Sequence, residues 1–128
     1  MVIDASAVLA VLLGEPGHEA LNERIVGASR RLISAATVVE AGIVLLSRES
    51  AKNEPFLDLF LQKAGIEIIP VDAQQAQTAR DAFRRFGKGR HPAGLNFGDC
   101  FAYALAAVTG EPLLYKGDDF AKTDIAAA

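Results

Sequence analysis

Apolar and polar positions follow two alternating rhythms along these 128 residues. Short apolar runs, with flanking turn residues, predict strands at Val2-Ile3, Arg31–Ser34, Ile66–Ile69 and Pro112–Tyr115. Between them the apolar positions recur at helical spacing. Ser6 to Leu13 predicts a helix stopped by Gly14 and Pro16, and Gly17 to Val26 a second, with Ala20, Leu21 and Ile25 as its apolar face. Ala35 to Glu49 predicts a long, unusually apolar helix, and Pro55 to Ala64 another, closed by Gly65. Asp72 caps a helix running to about Phe86, and Phe97 to Thr109 forms the last, ended by Gly110. Strands alternating with helices predict a single α/β domain over 1–128 with a mostly parallel sheet, a class that places its ligands at the carboxyl ends of the strands.

Size and composition narrow the reading. A chain of 13.6 kDa buries about two-thirds of its extended-chain surface, enough for one core without staples. Its 51% hydrophobic content excludes a disordered chain. The lone Cys100 excludes an internal disulfide and a cysteine-rich zinc site. No uncharged apolar stretch is long enough to span a membrane, and the start lacks a basic region before its apolar run, so a cytoplasmic location is expected. The net charge of −3 argues against nucleic-acid binding through bulk positive charge. One strip departs from that balance. Arg80, Arg84, Arg85, Lys88 and Arg90 face a single acid, Asp81, a local +4 able to steer a phosphate backbone. Phe83 and Phe86 are read as core residues, so base stacking is not evident there.

The acids carry the chemistry. Asp4 is the only charged residue in 1–14, Glu40 in 32–47 and Asp99 in 92–110. A carboxylate in a buried segment with no local partner must be neutralised by a proton, a distant base or a metal. The topology allows Asp4, Glu40, Asp99 and the Asp118-Asp119 pair to meet at one edge of the sheet. At about 5 Å and an effective dielectric of 20, each pair repels by roughly 3 kcal/mol, so a converged cluster calls for a cation, and all-oxygen donors select Mg²⁺ or Mn²⁺. Each acid also has a local explanation. Asp4 suits an N-cap, Thr37–Glu40 and Asn96–Asp99 have capping-box spacing, and Asp118-Asp119 suits a turn. His18 and His91 are the only histidines; His18 reads as solvated and His91 as facing phosphate or water, so a histidine acid–base pair for metal-free chemistry is hard to assemble.

The segments Val2–Ala7, Glu40, Asn96–Ala106 and Leu113–Phe120 together resemble a PIN domain, and more closely a VapC-type toxin ribonuclease of a bacterial toxin–antitoxin pair. That resemblance implies a parallel sheet between helices and an acidic pocket holding one or two Mg²⁺ or Mn²⁺ ions. It assigns Asp4, Glu40 and Asp99 to the three core acids and Ser6 to the hydroxyl after the first. Asp119, just before Phe120, fits the fourth acid better than Asp118, although the Thr and acid of many members are replaced here by Tyr115 and Gly117. It further implies an RNA substrate, a VapB-type antitoxin and a homodimer. The excess of apolar residues on Val8–Leu13 and Val38–Leu46 gives a physical reason for such partners. Three other classes compete. An aspartyl phosphotransferase of the hydrolase type carries a second acid where this chain has Ser6. A receiver domain needs an acidic pair at the first strand. A non-enzymatic module with this fold would have no use for buried acids.

Overall fold

The computed structural model describes residues 1–47 and 51–128. Four strands, β1 (Val2–Ile3), β2 (Leu32–Ser34), β3 (Glu67–Ile69) and β4 (Leu113–Leu114), form one parallel sheet in the order β3-β2-β1-β4. The helices are α1 (Ala5–Leu13), α2 (His18–Gly27), α3 (Ala35–Ser47), α4 (Pro55–Lys63), α5 (Ala73–Phe86) and α6 (Phe97–Thr109). Each matches its predicted counterpart to within a residue or two, apart from the far end of α3, where Arg48 and Glu49 lie outside the described residues.

The strands are only two or three residues long, yet they organise everything else because side chains alternate across the sheet. Val2, Leu32 and Leu113 point to one face, into a core completed by α5 and α6. Ile3, Ile33 and Leu114 point to the other, into a core with α1, α3 and α4. All six are at most 1% exposed. The third strand differs from the others: Glu67 and Ile68 are exposed, because β3 is an edge strand paired only with β2.

The chain steps outward from β1 to β2 to β3 and then returns across the sheet to place β4 on the other side of β1. The direction of winding therefore reverses at β1, and the crevice of a doubly wound sheet opens beside the carboxyl end of that strand. Asp4 is the first residue past β1. Its amide donates to the Leu114 carbonyl at 2.9 Å, so the ladder holds its backbone in place.

The terminal segment is tied down by a polar network. Tyr103 Oη donates to Asp124 at 2.6 Å and Arg85 pairs with the same carboxylate at 2.9 Å. Burial and the Asp124 charge push the Tyr103 phenol up to about 12, while hydrogen bonding from Tyr103 and Arg85 holds Asp124 below the usual carboxylate range. Among the described residues no helix is long and apolar enough to cross a membrane.

Leu105 is fully buried in the middle of α6, beneath the sheet. Leu105→Ala is expected to cost about 2–5 kcal/mol, whereas Val39→Ala, on an exposed face of α3, should change stability by less than about 0.5 kcal/mol. Urea titration checks this as a lowered midpoint at constant slope for the first variant only.

Candidate active site

The carboxyl edge of the sheet gathers the acids, and local capping chemistry fixes two of them. Asp4 is the N-cap of α1: its Oδ2 accepts from the Ser6 amide at 3.0 Å and from the Ser6 hydroxyl at 2.7 Å. Asp99 belongs to a complete capping box at the start of α6, its Oδ2 accepting from the Asn96 amide at 3.0 Å while Asn96 Oδ1 accepts from the Asp99 amide at 3.0 Å. Cap and site are therefore not alternatives. In each aspartate the capping bonds engage Oδ2, so capping does not use the whole carboxylate. The other oxygen of Asp4, Oδ1, is buried with no hydrogen-bond partner among the described residues, in a residue only 3% exposed.

Glu40 behaves differently. The capping box expected from Thr37–Glu40 does not form, because α3 already begins at Ala35, where the Ser34 hydroxyl accepts from the Ala36 amide at 3.3 Å. Thr37 lies inside the helix, and its hydroxyl has no partner. Glu40 is thus released from any cap, and its buried Oε1 is also without a partner. The other oxygen presses against the backbone of α6. A Cβ placed on Gly98 would lie 1.7 Å from Glu40 Oε2, so only glycine at position 98 lets this carboxylate occupy its place beside Asp99. Sequence reading did not single out Gly98. Its signal, a glycine just inside the start of a helix, has meaning only once α3 is known to cross there.

The acids perturb one another. Burial, then the charges of Asp4 and Asp99, push Glu40 up to about 7. Burial, partly offset by the Asn96 amide and reinforced by Asp4 and Asp119, pushes Asp99 up to about 6. Burial raises Asp4 as well, against the Ser6 hydrogen bonds and with a contribution from Asp119. The Asp119 charge thus acts on both Asp4 and Asp99, whereas Asp118 is not among the groups that perturb the three acids. Asp119 reaches this position from the turn after β4, where Phe120 is buried against Tyr115 and the Lys116 amide donates to the Ser6 hydroxyl at 2.9 Å. Ser6 therefore bridges the exits of β1 and β4.

Neither histidine is among the groups that perturb the acids. His18 starts α2 beside Glu19. His91, expected to face phosphate or water, instead fixes its own loop: Nδ1 accepts from the Ala93 amide at 3.0 Å and the ring stands edge-on to Phe86 at 5.1 Å. The basic strip is also partly spoken for. Arg84 is ion-paired with Asp81, and Arg85 with Asp124. Phe86 joins the core as expected, but Phe83 is 37% exposed, and Phe97, adjoining Gly98, is 80% exposed. Sequence reading missed this aromatic surface because helical spacing assigned Phe83 to the interior and gave Phe97 no separate role.

The donor set suits a hard divalent cation: oxygens only, two of them buried and unpaired, on carboxyls whose mutual repulsion a cation relieves. Among the described residues, no three His, Cys, Asp or Glu side chains close into a ready-made coordination sphere.

Comparison with known proteins agrees with this geometry. The family model described as PIN domain matches residues 1–126. A ribonuclease VapC of Mycolicibacterium smegmatis is 50% identical over 127 residues, covering 99% of this chain and 98% of its own length. Ribonuclease VapC30 of Mycobacterium tuberculosis is 47% identical over 126 residues, covering 98% and 96%. Among solved structures, M. tuberculosis VapC20, described as a sarcin–ricin loop cleaving toxin, superposes with a TM-score of 0.80 at 14% identity, covering 99% of this chain and 97% of its own, and so shares the fold.

The raised acids make metal-free stability depend on pH. Glu40 and Asp99 bind protons more tightly in the folded state than in the unfolded chain, so their contribution is full below about pH 4 and is lost as pH rises through about 6 and 7. In EDTA the melting temperature should fall between about pH 5 and 8, and Glu40→Gln should flatten that slope. Thermal scans across this range, parent against variant, provide the check.

Proposed function

The chain belongs to the VapC-type ribonucleases of the PIN-domain family, the toxin members of VapBC toxin–antitoxin pairs and divalent-metal-dependent enzymes, and from that premise we propose which of its residues do the work. Asp4, Glu40, Asp99 and Asp119 form the catalytic centre and would hold Mg²⁺ or Mn²⁺ for hydrolysis of a phosphodiester in an RNA substrate. The observation that carries this reading is the pair of buried oxygens on Asp4 and Glu40 that have no hydrogen-bond partner among the described residues. When bound, the cation supplies an activated water and charge stabilisation for an in-line displacement at phosphorus.

The protein's own part can be stated residue by residue. Asp4 and Asp99 present their uncapped oxygens as the principal ligands, and their capping bonds prevent either from rotating away. Ser6 holds Asp4 in that orientation and ties it to the turn bearing Asp119. Glu40, titrating near neutrality in the metal-free site, orients water and accepts its proton. Asp119, exposed on its turn, completes the negative rim on the solvent side. Arg80, Lys88 and Arg90, exposed and outside the ion pairs that hold Arg84 and Arg85, lead the RNA backbone toward the acids.

Partners follow from the surface that the helices leave uncovered. Val39, Ile43 and Leu46 of α3 are each 56–59% exposed and lie on one stripe, and Phe56 and Leu59 of α4 are exposed as well. A VapB-type antitoxin and a second copy of this chain are the proposed occupants of such surface, and an antitoxin arginine or lysine inserted among the acids would neutralise them in place of the metal. The proposed compartment is the cytoplasm, where RNA and antitoxin are both present.

Millimolar Mn²⁺ should raise the melting temperature of the parent, and Asp99→Asn should blunt that shift and lower RNA cleavage at least a hundredfold. The products should carry a 5′-phosphate and a 3′-hydroxyl, since water rather than the RNA's own 2′-hydroxyl attacks; mass spectrometry showing a 2′,3′-cyclic phosphate would refute the mechanism. Gly98→Ala adds a methyl that the Glu40 carboxylate must vacate. It should lower cleavage at least tenfold while moving the melting temperature by only a few degrees, because alanine is the better helix former.

A further inference from the structure

The catalytic reading uses Arg80 and Arg90 but not the aromatic surface between them and the acids. A groove of about 740 Å³ runs between α5 and the start of α6, its walls formed by Phe83, Phe97 and Phe101 and its rim by Arg80, Arg84 and Arg90. A second hollow of about 390 Å³ lies between α3 and α6 and contains Glu40 and Gly98. Both are lined by Phe97 and Phe101, whose rings pack edge to face at 4.9 Å. This aromatic pair is therefore the partition between Glu40 on one side and the arginines on the other. Phe97 stands 80% exposed on top of it. Arg84 is paired with Asp81, but Arg80 and Arg90 have no ion pair among the described residues.

An aromatic ridge flanked by unpaired cations matches a ligand in which flat apolar rings alternate with negative charges. Single-stranded RNA is such a ligand: bases stack on exposed aromatic rings while phosphates follow the basic groups. A second copy of the chain matches less well. An isologous seam across this groove would bring Arg80 and Arg90 of both copies into one interface, with no acid among the lining residues to offset them.

We propose that Phe97 is a nucleotide-positioning residue: the base next to the scissile phosphate stacks on its ring, and the phosphates beyond it lie against Arg80 and Arg90. This rests on the ribonuclease reading and deepens it, since the stack would fix which phosphate reaches the acids. Phe97 and the catalytic Asp99 lie in the same first turn of α6, so docking of the base and alignment of the carboxylate are set by one rigid element.

Binding and cleavage separate the possibilities. In EDTA, where no cutting occurs, fluorescence anisotropy with a short labelled single-stranded RNA should show about tenfold weaker binding for Phe97→Ala and near-parental binding for Phe97→Trp, with melting temperatures unchanged. Replacing both Arg80 and Arg90 by alanine should reduce the salt slope of binding by about 1.4, roughly 0.7 for each phosphate left without its arginine. With Mn²⁺, an abasic position moved along the RNA should slow the parent about tenfold at one site flanking the cut and leave Phe97→Ala indifferent at that site. Equal affinity of parent and Phe97→Ala, together with equal abasic sensitivity, would overturn the proposal. So would a Phe97→Ala variant that alters only self-association or antitoxin binding, which would assign the ridge to a protein partner. A parent that binds RNA through Phe97 but never cuts it would refute the ribonuclease reading and leave the docking site standing.

Discussion

Everything at the catalytic edge follows from holding several carboxylates together in a space poor in water. Burial alone raises the acids, and each neighbouring charge raises them further, so Glu40 is carried to about 7 and Asp99 to about 6. The protein tolerates this because the scaffold leaves the acids no alternative. Asp4 and Asp99 are fixed by capping bonds that cannot be broken without fraying α1 or α6, and Glu40 is confined by the backbone at Gly98. On the proposed function, the resulting unfavourable charge is what a divalent cation would relieve.

The sheet makes the arrangement possible with little material. Four strands of two or three residues suffice because β1, β2 and β4 bury both faces and parallel pairing brings all four carboxyl ends to one side. The return of β4 to the far side of β1 opens the crevice where Asp4 emerges and brings the Asp119 turn within electrostatic reach of both aspartates. The family relationship and the 0.80 TM-score to a structure of only 14% identity show how little of the sequence this architecture constrains. What it needs is an apolar pair in each inner strand and small residues where α6 passes beneath the sheet, such as Ala102, Ala104 and Ala106.

The sequence by itself determined the element order, the parallel class and the identity of the acids. These are local properties: apolar periodicity, turn residues, and the isolation of Asp4, Glu40 and Asp99 in otherwise uncharged stretches each show within a short window of chain. The capping spacings of Asp4 and Asp99 were legible for the same reason. Only the tertiary structure decided that the caps engage one oxygen of each aspartate, that Glu40 is no cap at all, and that Asp119 rather than Asp118 adds to the raised acidity of Asp4 and Asp99. It likewise decided that Arg84 and Arg85 are tied in ion pairs, that Ile68 lies on an open edge, and that Phe83 and Phe97 are on the surface. Asp81 is near Arg84 in sequence, but Asp124 meets Arg85 only after β4 has crossed the sheet, and the glycine that admits Glu40 lies 58 positions beyond it. Helical periodicity says that a residue has an apolar side; which side finds a neighbour depends on how distant segments pack, and that is decided when the whole chain closes on itself.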